Sequence, residues 1–262
     1  MSDLASLGNL YRAQAAFDPT PFVAAGECVA WLEARADIAT GFGTSQMQVA
    51  NTVLGTAVSK FARSTVGLQP SFVQSYGNSG LSALLFDGND DSLLMQGTTS
   101  HLVDLMGTSN DFTWISVQGV VSISTNSGTS YLNDSIMGDS GGYLSIDLRN
   151  NVGGNNVVLG GGFGAGDVYI LAGSEPVITL NTVFMVTYRH HSSTLFVQKN
   201  MDTAVSGSDG GAPALTNTSF TLGTGNSQFA NMNWQCAGFF NNGNLTNLVA
   251  LQTAIMNRWK IT

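Results

Sequence analysis

"LLFDGNDDSLLM", residues 84–95, places two apolar runs on either side of GNDD, four residues that favour a turn. The first run reaches back to Leu81, so "LSALLFD" (81–87) reads as a buried strand that ends where the turn begins. The same grammar recurs outward from it. "FTWISVQGVVSI" (112–123) alternates, with Ile115, Val117, Gly119, Val121 and Ile123 on one face. "GYLSIDL" (142–148) puts Leu144, Ile146 and Leu148 on one face and Tyr143, Ser145 and Asp147 on the other. "DVYILAG" (167–173) follows the glycine-rich "GGGFGAG", which lacks the lysine and following helix of a phosphate-binding loop. "TVFMVTYRH" and "TLFVQKN", separated by short polar residues around His191 to Ser193, form the firmest hairpin. "SFTLGTG" (219–225) and "QCAGFF" (235–240) complete the series.

One helix closes the chain. In "LTNLVALQTAIMNRW", Leu248, Leu251, Ile255 and Trp259 fall on one face, with Arg258 and Lys260 at the C-terminal end where cations suit the dipole. Near the start, Leu4, Leu7, Tyr11 and Ala15 also have helical spacing, until Pro19 and Pro21 stop it. Such an arm either docks on a partner or packs on its own domain; the sequence leaves both open. Many antiparallel strands with one short terminal helix predict an all-β sandwich or jelly roll of two antiparallel sheets. Residues 1–26 are the arm and 27–262 the sandwich, with no second core and no linker.

Composition narrows the function classes. Only 10% of the 262 residues are charged, and Lys60, Lys199 and Lys260 are the only lysines. A surface so poor in charge fits a protein covered by neighbours in an assembly, or an ordinary polar β protein. The net charge of −8 and the absence of a basic cluster exclude a nucleic-acid partner and an anionic membrane. Residues 1–25 lack the basic and apolar regions of a secretion signal, and no run approaches the ~20 apolar residues that span a bilayer. Synthesis in a cytoplasm is therefore expected. Cys28 and Cys236 lie in apolar runs and form no metal pattern, so buried free thiols are the default, with a disulfide left open.

Several stretches, in order over residues 29–261, resemble the concanavalin A-like lectin/glucanase superfamily, in particular its laminin-G-like modules of bacteriophage and bacterial surface proteins. "VAWLEARAD" (29–37) is similar to the opening strand, and "LLFDGNDDSLLM" to the Phe-Asp-Gly-x-x-Asp-x-Leu strand pair. "LQPSF" (68–72) stands in the place of an Arg-Pro segment, with Gln69 where the arginine would be. "FMVTYRHHSSTLFVQKN" resembles the family's hairpin, and "AGFFNNGNLTNLVALQTAIMNRWKI" its closing strand, loop and helix. Residues 124–182 match loosely. The resemblance implies a concanavalin A-like jelly roll whose first and last strands are neighbours, which would bring Cys28 and Cys236 onto adjacent strands.

"GDSGG" (138–142) matches the pentapeptide around the nucleophile of chymotrypsin-like proteases, which makes Ser140 a candidate. A triad needs a histidine and an acid as well. Only His101 precedes Ser140, 39 residues before it, in the wrong local sequence; His190 and His191 remain open. The pentapeptide is read as a turn into "YLSIDL". Glycoside hydrolysis needs two carboxyls about 5 Å apart, and none of the three glutamates, Glu27, Glu33 and Glu175, has a second acid two residues along a strand.

Asp87, Asp90 and Asp91 are the densest acidic cluster and the candidate calcium site, the one cofactor entertained. Trp114, Tyr143, Tyr169 and Trp234 are the candidate sugar-stacking aromatics. With the resemblance, these features lead to the expectation of a non-enzymatic bacteriophage virion protein, a head or tail decoration or attachment module. Its partners would be other virion proteins, copies of itself and a cell-surface glycan. The alternatives are a free carbohydrate-binding module and a glycoside hydrolase.

Overall fold

The computed structural model describes residues 15–97, 102–106, 110–122, 131–139, 144–151, 157–163, 166–169, 178–209, 220–225 and 228–262. Among them, two antiparallel sheets face each other, as the alternating runs predict. The first has eight strands. In spatial order these are β15 (Val205–Ser208), β14 (Thr194–Lys199), β13 (Val183–His191), β8 (Phe112–Ser122), β19 (Asn231–Phe240), β6 (Leu81–Asp87) and β5 (Ser71–Tyr76). The eighth, β1 (Cys28–Glu33), pairs with β19 beyond the stretch that β6 occupies.

The second sheet has nine strands. They are β12 (Gly166–Tyr169), β11 (Val157–Phe163), β10 (Leu144–Asn151), β9 (Tyr131–Asp139), β16 (Phe220–Leu222), β7 (Leu93–Gly97), β4 (Val58–Arg63), β3 (Met47–Ala50) and β2 (Ala39–Thr40). Of β9 to β12, the backbone and buried Ile146 are described. A two-stranded ribbon, β17 (Thr224–Gly225) with β18 (Gln228–Phe229), lies apart from both sheets.

The first sheet is covered on both faces, which explains why β8 is buried along nine consecutive residues. Its Phe112, Trp114 and Val120 join the core between the sheets. Ile115 and Val117 point the other way, into a second cluster under helix α1 (Leu248–Trp259). That helix buries Leu251, Gln252, Ile255 and Trp259, while Leu248 is half-buried. Gln252 Nε2 donates to Thr187 Oγ1 and Gln198 Oε1, both at 2.8 Å, and so fastens the helix to β13 and β14.

Residues 15–22 also lie on this face. Phe17 sits 4.9 Å from the Trp31 ring and 6.1 Å from that of Trp259. The described part of the arm thus packs on its own sandwich. Gly238 makes room for Trp31, because a Cβ there would come 2.5 Å from the indole ring.

Two details differ from expectation. β6 and β7, the two halves of "LLFDGNDDSLLM", do not pair with each other; β6 belongs to the first sheet and β7 to the second. The turn carries the chain across the edge of the sandwich. β1 and β19 are adjacent, as the resemblance implies, but Cys28 pairs with Phe240 and Cys236 with Glu33, at opposite ends of the ladder. Both thiols are free. Burial, with Asp18's charge adding, pushes Cys28 up to about 12, and burial carries Cys236 well above the usual thiol range. The hairpin of β13 and β14 forms as predicted, with His191 opposite Thr194, and Ser192 and Ser193 as its two left-handed turn residues.

Candidate functional site

Among the described residues, polar side chains gather at several places. The first is a groove of about 400 Å³ on the outer face of the second sheet, within the range of small-molecule sites. Strand alternation builds it. Val58 and Phe61 of β4 and Leu93 and Met95 of β7 point into the core, so Lys60, Ala62, Leu94 and Gln96 face outward. Lys60 pairs with Gln96 and Ala62 with Leu94 across the strands. Lys60 Nζ donates to Gln48 Oε1 of β3 at 2.8 Å. The groove continues along residues 45–47 and 63–65, where Gln46, Arg63 and Thr65 line it.

Gln69 holds that end together. Its Oε1 accepts from Gly43 N at 3.0 Å, and its Nε2 donates to Thr44 O at 2.6 Å and Arg63 O at 2.9 Å. The loop starts at Gly41, whose φ of +76° and close approach to the Gln46 carbonyl leave no room for a side chain. Gln69→Ala should cost about 1–2 kcal/mol in urea unfolding. It should also weaken any ligand of the groove, because the loop and the end of β4 lose their common partner.

The second place is the acidic turn. Asp87, Asp90 and Asp91 each offer an oxygen within 4.8 Å of the others. Much of their capacity serves the turn itself: Asp87 Oδ1 accepts from Asn89 N at 2.8 Å, and Asp91 Oδ2 accepts from Asp87 N at 3.0 Å. Burial pushes Asp87 up, but hydrogen bonds from Asn89 and from the backbone of Asp90 and Asp91 hold it below the usual value. Burial, reinforced by the charges of Asp87 and Asp90, raises Asp91 to about 6 against the pull of the Asp87 N–H.

The sign for Asp91 follows. Between its ordinary 3.8 and about 6 the folded state holds a proton that the unfolded chain has lost, so stability falls as pH rises through that window. Asp91→Asn should therefore raise stability by about 1–2 kcal/mol at pH 7, after solvent screening, and change it little at pH 3.5. Thermal melts from pH 3.5 to 8 measure this. Repeating them in millimolar calcium reads whether a cation shields the same charges.

The third place is the β13–β14 turn. His191 Nδ1 lies 2.9 Å from Asp111 Oδ2, and His191 Nε2 lies 3.3 Å from Ser192 Oγ. Asp111 Oδ1 also accepts from Ser192 N at 3.3 Å. Beside them His190 meets the Asn110 carbonyl at 2.8 Å and Asp209 at 3.1 Å. Serine, histidine and aspartate thus converge at "HHSS", on an exposed turn.

Of the sugar-stacking candidates, Trp114 and Trp234 lie in the core at 1% and 0% exposure. Tyr169 ends β12, with its side chain outside the described residues, where Tyr143, His101 and Ser140 also fall. Gly138 of "GDSGG" pairs with Ser145, so the pentapeptide starts at the end of β9, just before β10. Arg63 and Gln96 carry no signal in the sequence, and Gln69 stands out there only as the residue in place of an arginine. For Lys60 the available signal is the rarity of lysine, with one of three set in an alternating strand.

No family model matches the chain, and no curated protein matches it in sequence. Solved structures do. A sialidase from Trypanosoma rangeli superposes with a TM-score of 0.58 at 13% identity, over 97% of this chain and 37% of the sialidase. The likeness is one of fold. The same enzyme with the inhibitor DANA gives 0.56 at 13% identity, over 94% and 36%. This chain spans little more than a third of the sialidase's length. Tailspike protein 2 of Escherichia coli O157:H7 bacteriophage CAB120 aligns at only 0.49, with 14% identity, over 80% and 28%, too weakly to decide anything.

The sialidase match corrects one expectation. The sequence predicts a non-enzyme, with "GDSGG" (138–142) a turn and the glucanase carboxylate pair missing. The chains it superposes on are glycosidases, so that exclusion does not stand.

Proposed function

We propose that this chain is a carbohydrate-recognition module of a bacteriophage particle, and that its saccharide lies in the groove over β3, β4 and β7. The groove carries the reading. It is open, sized for one or two sugar rings, floored by Ala62 and Leu94 and walled by amides, hydroxyls and two cations. Sugars need this mixture of small apolar contacts and many hydrogen-bonding groups. The virion setting, on head or tail beside other virion proteins or copies of the chain, is supported by the sequence resemblance and by a surface with 10% charged residues. The concanavalin A-like assignment belongs to the same reading.

The test is a glycan array probed with the labelled full chain, with and without calcium. Binding to a defined set of glycans, weakened in Gln96→Ala, is expected. A blank array in both conditions sinks the reading. Mass spectrometry of the bound glycans after long incubation shows whether the module also cuts them.

A further inference from the structure

Charge in the groove runs against the rest of the chain. The protein has 17 acidic and 9 basic residues. Among the described residues the groove is lined by Lys60 and Arg63 and by no acid. Neither cation has a carboxylate partner among the described residues; the ion pairs there belong to other residues, such as Arg35 with Asp37 and Arg258 with Glu33. Lys60 spends one of its three donors on Gln48. Arg63 Nε is buried with no hydrogen-bond partner. Arg35 Nη1 and Arg258 Nε, on side chains already in ion pairs, are buried in the same way, so the groove is set apart by its charge and not by this donor.

The described lining also contains no aromatic ring. Stacking on the apolar face of a pyranose is therefore not how this surface reads a sugar. Hydrogen bonds and charge must do it. An arginine fork takes a planar carboxylate through two parallel N–H donors, and a lysine nearby adds a point charge.

We infer that the groove recognises a carboxylate-bearing saccharide, with Arg63 and Lys60 on the carboxylate and Gln96 and Gln46 on ring hydroxyls. This rests on the proposed carbohydrate recognition and specifies its ligand class. A negative chain with a local positive groove also predicts that salt weakens binding, because the attraction is confined to a partly exposed pair.

The experiment is calorimetric titration of the full chain with oligogalacturonate, with oligosialic acid, with the carboxyl-reduced form of the first, and with a sulfated oligosaccharide. Lys60→Ala, Arg63→Gln and the double variant are run beside the wild type, after thermal melts confirm that each folds. At least a tenfold loss is expected on carboxyl reduction and again in Lys60→Ala. The stronger of the two acids identifies a uronic or a nonulosonic carboxylate as the source. Equal affinity for the reduced oligomer, or unchanged affinity in the double variant, overturns the carboxylate inference and leaves glycan binding standing. Tighter binding of the sulfated sugar overturns it in favour of a different anion. No binding to any of the four, together with a blank array, removes the carbohydrate reading itself.

Discussion

Trp114→Ala should cost about 3–5 kcal/mol of folding stability, read as a lowered urea midpoint at unchanged slope. The indole is 1% exposed. It packs edge-on against Phe220 at 4.9 Å and Phe239 at 5.4 Å, and lies 4.7 Å from Phe112. Phe220 belongs to the second sheet and the other two to the first, so Trp114 joins the two layers. Its Nε1 points to the Leu105 carbonyl at 3.5 Å. Removing it opens a cavity that rigid neighbouring strands cannot collapse into. Had Trp114 been a stacking platform for a sugar, the same change would weaken glycan binding and leave the urea midpoint in place. The two outcomes separate a core tryptophan from a ligand-facing one.

That distinction shows which parts of the molecule were legible in sequence. Strand runs such as "LSALLFD" and "FTWISVQGVV" announce themselves, because burial on one or both faces writes a period or a continuous apolar run into the chain. The β13–β14 hairpin and the C-terminal helix are local and were equally plain. Pairing was less so: nothing local tells β6 to join β19 and β7 to join β4, since the choice depends on partners 32 to 150 residues away. An aromatic in an alternating strand does not say which face is covered when a helix lies over the sheet. Trp114 and Trp234 are therefore candidates by sequence, and core residues in the fold, where both faces of the sheet are occupied. The groove was hidden for the same reason. Gln46, Lys60, Arg63 and Gln96 are ordinary residues in three segments, and only the ladder of β3, β4 and β7 makes them neighbours.

Glu33→Gln is the second change expected to cost about 3–5 kcal/mol. Glu33 is 2% exposed in a strand whose six residues are all buried. Its Oε1 accepts from Phe17 N at 2.6 Å and Trp31 Nε1 at 2.9 Å, and its Oε2 accepts from Arg258 Nη2 at 2.9 Å. Arg258 also donates to the Ala15 carbonyl at 3.0 Å. One carboxylate thus joins β1, the helix and residues 15–17. An amide of the same shape keeps one acceptor but turns an N–H toward donors that need an oxygen, and it leaves the Arg258 charge without its counterion. Burying an uncompensated charge is the larger part of the loss.

Removing both partners should cost less than the sum of the single changes. Glu33→Gln combined with Arg258→Met should recover at least 1 kcal/mol relative to additivity in a double-mutant cycle. Hydrogen exchange gives an independent check. In Glu33→Gln the Phe17 amide should lose protection well before the amides of β8, because residues 15–22 are then held to the sandwich by their ring contacts and the Arg258 bond to the Ala15 carbonyl. Additive costs and an unchanged Phe17 amide would mean that the aromatic cluster of Phe17, Trp31 and Trp259 holds this segment without the ion pair.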